Sequence, residues 1–188
     1  MQIYPIFVVM KDRKWLNIEL GRVSTEEYRK LPDSGIVVVL DNVRSAHNVG
    51  SVFRTSDSFK VDRLLLCGIC ATPPSAEIHK SALGAEDSVE WLKYQDTMDA
   101  IRELKKEGYT VVSVEQTINS VKLNEFTPKQ GEKYALVFGN EVDGVQQEVV
   151  DESDFSLEIP QWGTKHSLNV SVSAGVILWH FKACINKV

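Results

Sequence analysis

The sequence predicts an α/β fold: a mostly parallel sheet with helices on both faces. Three observations carry this. From Ile36 onward, short apolar runs alternate with helix-period segments, the pattern of strand–helix crossover units. The first run, IVVVL (Ile36–Leu40), is apolar without a break, as expected of a strand covered on both sides. The 188 residues, 43% of them apolar, suffice for one well-buried domain but not comfortably for two.

Each element has its own signal. Residues 1–34 read as an N-terminal extension with a helical stretch at Ser24–Lys30, stopped by Pro32. After the strand Ile36–Leu40, the spacing predicts a helix from about Val49 to Phe59 and a strand at Arg63–Cys67. A Pro-rich loop, ATPPS, precedes a short helical piece near Ile78–Leu83. A strand near Val89–Leu92 leads to a helix at Thr97–Glu107, with Gly108 placed as its C-terminal cap. Strands at Thr110–Val114, Tyr134–Phe138 and Phe155–Ile159 follow, with a short helix near Gln146–Asp151. A long helix, about Leu168–Ala183, closes the chain.

The bulk composition narrows the function classes. A net charge of −5 does not fit binding of nucleic acid through bulk charge, so any nucleic-acid site must be a local basic patch. The odd cysteine count (Cys67, Cys70, Cys184) points to a reducing compartment. Cys67 and Cys70 form a C-x-x-C with no second pair to complete a zinc site, and read as two small residues near a strand end. The four histidines show no metal-ligand spacing, so no metal is expected. The N-terminal MQIYPIFVVMKDRK is too short an apolar stretch to span a bilayer and lacks the features of a signal peptide. A cytoplasmic protein without a membrane segment is the expectation. There is no P-loop, no G-x-G-x-x-G and no G-x-S-x-G, which disfavours the corresponding enzyme classes.

Ligands of parallel sheets sit beyond the carboxyl ends of the strands. Three such ends are unusual. DNVRSAHNVGSVFRTSD follows Leu40, GNEVDGV follows Phe138, and PQWGTKHSLNVSVSAGV follows Ile159. Each is polar and contains glycine, and together they suggest one shared site.

These segments resemble the three signature motifs of the SpoU (TrmH-like) RNA 2′-O-ribose methyltransferases of the SPOUT superfamily. Asn48, Gly50 and Arg54 stand at the spacing of the first motif. Gly139, Glu141 and Gly144 give the second, G-x-E-x-x-G. Pro160, Gly163, Ser167, Leu168 and Asn169 give the third. IHKSALGAED (Ile78–Asp87) is similar to an intermediate S-x-G-A segment, and Trp162 occupies a place where another residue is common. The resemblance covers about Ile36 to Phe181. It implies a methyltransferase domain over residues 35–188, a C-terminal trefoil knot, S-adenosyl-L-methionine as cofactor, tRNA or rRNA as substrate, and a homodimer. The knot runs against the general rarity of knots and is expected from the resemblance alone.

The residues take expected roles on this reading. Catalytic work falls to Arg54, Asn48, Glu141, Ser167 and Asn169. Arg54 stays protonated and is a poor base by itself. Either it acts with an RNA phosphate to activate the ribose hydroxyl, or it only clamps phosphate and orients that hydroxyl. Asn48 reads as a helix cap or as a ribose contact, and Ser167 as the cap of the last helix or as an RNA-facing residue. Glu141 accepts hydrogen bonds from nucleotide groups or pairs with Lys165 or Arg44. The cofactor is expected on Phe138, Gly139, Asn140, Ile159, Gly163, Ser167 and Leu168, with the glycines allowing close backbone approach. Arg44, Lys80 and Lys165 are candidates for the basic RNA patch. Two alternatives stand beside this reading: a catalytically silent RNA-binding scaffold of the same kind, and a nucleotide-binding α/β enzyme of another class.

The last helix bears on assembly. Leu168, Val172, Val176 and Trp179 lie on one of its faces, and Val170, Ala174, Ile177 and Phe181 on another. A helix apolar on two sides needs cover on both. A second subunit is one cover for the outer face; residues 1–34 folding back are the other.

Overall fold

The structure, a computed structural model, describes residues 13–21 and 23–186. Most of the apolar N-terminal stretch, residues 1–12, lies outside them. Seven strands form one sheet: β1 (Ile36–Asp41), β2 (Arg63–Cys67), β3 (Glu90–Tyr94), β4 (Thr110–Val114), β5 (Val121–Lys122), β6 (Tyr134–Phe138) and β7 (Phe155–Glu158). Their order is β3-β2-β1-β6-β4-β7-β5, and every pairing is parallel. All carboxyl ends therefore open on one edge. The helices are α1 (Thr25–Lys30), α2 (Ala46–Ser58), α3 (Ala76–Ala82), α4 (Ala85–Ser88), α5 (Thr97–Lys106), α6 (Gln147–Glu152) and α7 (Val170–Asn186).

The unbroken apolar run of β1 has the expected cause. Ile36, Val38 and Leu40 share a core with Val52 and Phe53 of α2 and Ile177 and Phe181 of α7. Val37 and Val39 point the other way, into a core with Ile101 and Leu104 of α5 and Val149 of α6. Helices thus cover both faces. Gly108, at φ +82°, ends α5 as expected.

Helix starts differ from the sequence reading. α2 begins at Ala46, not Val49, because Ser45 Oγ caps it by accepting from the Asn48 N–H at 3.3 Å. Asn48 is therefore inside the helix and is not its cap. α7 begins at Val170, not Leu168, and Ser167 is not its cap. Asn169 holds that place, its Oδ1 accepting from Ser171 N and Oγ at 2.9 and 2.7 Å. Leu168 continues the apolar period upstream of the true start, which is what misplaced it. α7 also runs on to Asn186, since no glycine or proline stops it at Ala183. β5, two residues long, is too short to show a period.

Cys67 and Cys70 are buried. Cys70 Sγ accepts from Val43 N at 3.1 Å and donates to the Leu40 carbonyl at 3.3 Å. Burial pushes the Cys67 thiol up to about 12 and the Cys70 thiol up to about 11, so both stay protonated packing residues at neutral pH.

Gly50 sets the distance between α2 and α3. A Cβ there would lie 2.2 Å from Ser81 Oγ and 2.4 Å from the Ile78 carbonyl oxygen. The glycine of the first motif and the S-x-G-A segment are thus parts of one helix contact.

Candidate active site

The loops after β4, β6 and β7 and the start of α7 wall a cavity of about 490 Å³, within the range of small-ligand sites. Phe138, Gly139, Asn140, Ile159, Ser167 and Leu168 all line it. Gly163 does not. It sits in an exposed loop with open space around its missing Cβ, so no contact among the described residues calls for a glycine there.

The β6–α6 loop is shaped by its glycines. A Cβ at Gly139 would fall 1.9 Å from the Gly144 carbonyl carbon and 2.1 Å from Val145 N. Without it, Asn140 and Gly144 exchange backbone hydrogen bonds at 3.1 and 3.2 Å, and Asn140 Oδ1 accepts from Val142 N and Asp143 N. Gly139 therefore lets the loop close upon itself beside the cavity that it lines. The far end of the loop is tied to β1. Buried Asp41 accepts from Gln146 N at 2.8 Å, from Gln146 Nε2 at 2.8 Å and from Thr97 Oγ1 at 2.6 Å.

Glu141 joins the first and second segments. It accepts from Asn48 Nδ2 at 2.6 Å and from the backbone N–H groups of Arg44 and Ser45 at 3.2 and 3.4 Å. Desolvation works against its ionisation, but these hydrogen bonds outweigh it and hold the carboxyl below its ordinary value. It pairs with neither Lys165 nor the Arg44 guanidinium, which lies 3.7 Å from Asp143. Asn48 Oδ1 in turn accepts from Asn169 Nδ2 at 3.1 Å. Asn48 thus links all three motifs.

Arg54 is exposed on α2 and does not line the cavity. Among the described residues its guanidinium has no hydrogen-bond or ion-pair partner. Lys80 on α3 and Lys165 in the β7–α7 loop are exposed, as is Arg44. Sequence reasoning missed Glu115, Gln116 and Glu158 on the cavity wall. The signal was available: β4 also ends at the sheet's carboxyl edge, where its last residues merited the same attention as the three motif loops.

Fold and site together define a parallel α/β domain with a cofactor-sized cleft at the carboxyl ends of its strands, gathered from three separate polar segments. The model of the SpoU rRNA Methylase family matches residues 35–179, and the chain belongs to that family. It is 33% identical over 153 residues to the 23S rRNA (guanosine-2′-O-)-methyltransferase RlmB of Nitrosomonas europaea, covering 79% of this chain and 56% of that one. It is 32% identical over 147 residues to the tRNA (guanosine(18)-2′-O)-methyltransferase of Aquifex aeolicus, covering 77% and 67%. The chain thus spans little more than half of some of its relatives. Among solved structures it is similar to the A. aeolicus TrmH/SpoU tRNA modifying enzyme (TM-score 0.76, 26% identity, covering 87% of this chain and 83% of that one). It is also similar to the AdoMet-bound rRNA methyltransferase of Sinorhizobium meliloti (TM-score 0.73, 27% identity, covering 81% and 58%).

Proposed function

We propose that this protein transfers a methyl group from S-adenosylmethionine to a ribose 2′-hydroxyl of tRNA or rRNA. The observation that carries it is the junction at Asn48. One side chain hydrogen-bonds Glu141 and Asn169, two residues of the cavity wall, and so ties the first of three segments distant in sequence to the other two. The cavity suits the cofactor. Phe138, Ile159 and Leu168 offer apolar walls for an adenine, and several carboxylates on the wall suit a ligand with a sulfonium and an ammonium. When bound, the cofactor supplies an electrophilic methyl group.

The chain's own residues divide the remaining work. Arg54, exposed and without a partner among the described residues, clamps an RNA phosphate and orients the acceptor hydroxyl, and the phosphate assists in taking its proton. Asn48, Ser167 and Asn169 form the ribose-facing rim, and Glu141 holds Asn48 in place. Arg44, Lys80 and Lys165 hold further phosphates. The silent-scaffold alternative is disfavoured by the complete set of Asn48, Arg54, Glu141 and Asn169.

The remaining features belong to the same reading. Residues 35–188 form the methyltransferase domain and residues 1–34 an extension to it. β7 lies between β4 and β5, which are joined by residues 115–120, and this placement supports threading of the C-terminal segment through a trefoil knot. α7 buries Val170, Ala174, Ile177 and Phe181 while Leu168, Val172, Val176 and Trp179 stay exposed, which supports a two-fold dimer through the second face. Among the described residues no helix is long and apolar enough to cross a membrane; the cytoplasm, where tRNA and rRNA reside, is the expected location.

The test is tritiated methyl incorporation into RNA from cells lacking the protein, followed by mapping of the ribose methylation. An RNA with a single 2′-deoxy substitution at the mapped site should bind and accept no methyl. Absence of incorporation into any tRNA or rRNA, with S-adenosylhomocysteine binding intact, overturns the reading in favour of the scaffold.

A further inference from the structure

Four carboxylates face the cavity, and three of them are engaged by side chains. Glu158 pairs with Lys122 and accepts from Ser120 Oγ. Asp143 lies near Arg44, and Glu141 closes the Asn48 junction. Glu115, just past the end of β4, is different. Its Oε1 accepts from the next residue's N–H, Gln116, at 2.8 Å, and its Oε2 accepts from Val145 N at 3.0 Å. Among the described residues no side-chain donor reaches it. A carboxylate offers about four acceptor sites, so half of this one's capacity is open beside the cavity.

The loops are built around that carboxylate. A Cβ at Gly144 would lie 2.2 Å from Glu115 Oε2, and Gly144 itself has φ +71°. The second glycine of G-x-E-x-x-G thus gives Glu115 its place. The adjoining Gln116 donates from Nε2 to the His166 carbonyl at 2.6 Å, so the same dipeptide fastens the third loop. A fixed carboxylate with open acceptor sites on a cavity wall takes hydrogen-bond donors from whatever fills the cavity.

We infer that Glu115 is a cofactor-binding residue, which accepts hydrogen bonds from O–H or N–H donors common to S-adenosylmethionine and S-adenosylhomocysteine. It lies outside all three signature segments, and the inference rests on the methyltransferase reading above.

Glu115→Gln keeps an oxygen for the Val145 N–H and removes the charge. Calorimetry measures both dissociation constants, and a thermal melt checks the free protein. Both constants should rise roughly ten-fold while the melting temperature holds. Should the Gln variant not fold, Glu115→Asp, which withdraws the carboxylate by one methylene, must weaken both ligands alike. Wild-type affinity in the variant, or weakening of S-adenosylmethionine alone, overturns the inference; the latter would place the effect on the sulfonium charge. A wild-type protein that binds neither ligand overturns the methyltransferase reading, and this inference with it.

Discussion

Asn48 and Glu141, 93 residues apart in the chain, are joined by a 2.6 Å hydrogen bond from the Asn48 amide to the Glu141 carboxylate. This contact fastens the start of α2 to the β6–α6 loop, and it makes the junction sensitive to acid. The Glu141 carboxyl is held below its ordinary value, so its share of stability is complete above the unfolded-state value of about 4.3. That share is lost as pH falls through the lower folded value. Asn48→Ala should bring the Glu141 titration, followed by side-chain NMR, up towards the ordinary carboxylate value. Asn48→Asp sets two carboxylates against each other and should melt lower than Asn48→Ala at pH 7. Equal melting of the two variants would count against the junction.

Two glycines should respond differently. Gly50→Ala forces α2 away from the Ile78 carbonyl, an overpacking that costs about 1–3 kcal/mol. A chain of this size then melts about 2–4 °C lower per kcal/mol. Gly163→Ala meets open space and should leave the melting temperature unchanged. If Gly163 serves close approach of the cofactor, its Ala variant alone should bind S-adenosylhomocysteine more weakly. Differential scanning calorimetry and titration calorimetry separate these effects.

Arg54→Ala should cut methyl transfer by about 10²–10⁴-fold. Cofactor affinity should stay constant, because Arg54 does not line the cavity. Stability should change by no more than about 0.5 kcal/mol, as for surface positions without a partner. Arg54→Lys should restore little, since an ammonium lacks the planar fork that holds phosphate and hydroxyl together. A wild-type rate for Arg54→Ala on the mapped RNA would withdraw Arg54 from the ribose side.

Assembly is tested on the outer face of α7. Trp179 is 63% exposed and Val176 37%, and neither belongs to the buried face. Val176→Asp with Trp179→Glu should convert a dimer to a monomer in light scattering at micromolar concentration, with the secondary structure kept. A wild-type monomer at that concentration refutes the dimer outright.

The unbroken apolar runs and their alternation with helix-period segments placed β1, β6 and the two-sided core, because residues such as Val37 and Val38 must point to opposite faces of a strand whatever lies around them. They also fixed the three polar segments as strand-end loops, and the resemblance of those segments to known motifs gave the chemistry. What they could not place was decided by the folded backbone. Ser45 rather than Asn48 caps α2, and Asn169 rather than Ser167 caps α7, because capping depends on local backbone dihedrals that composition does not specify. The sequence marked Gly139 for close approach of a cofactor and Gly144 only as a motif position; the folded chain adds loop closure at Gly139 and the space beneath Glu115 at Gly144. Glu115 carries no motif to announce it. Its position on the cavity wall follows from β4 lying between β6 and β7, a neighbour relation that exists only once non-local strands have paired.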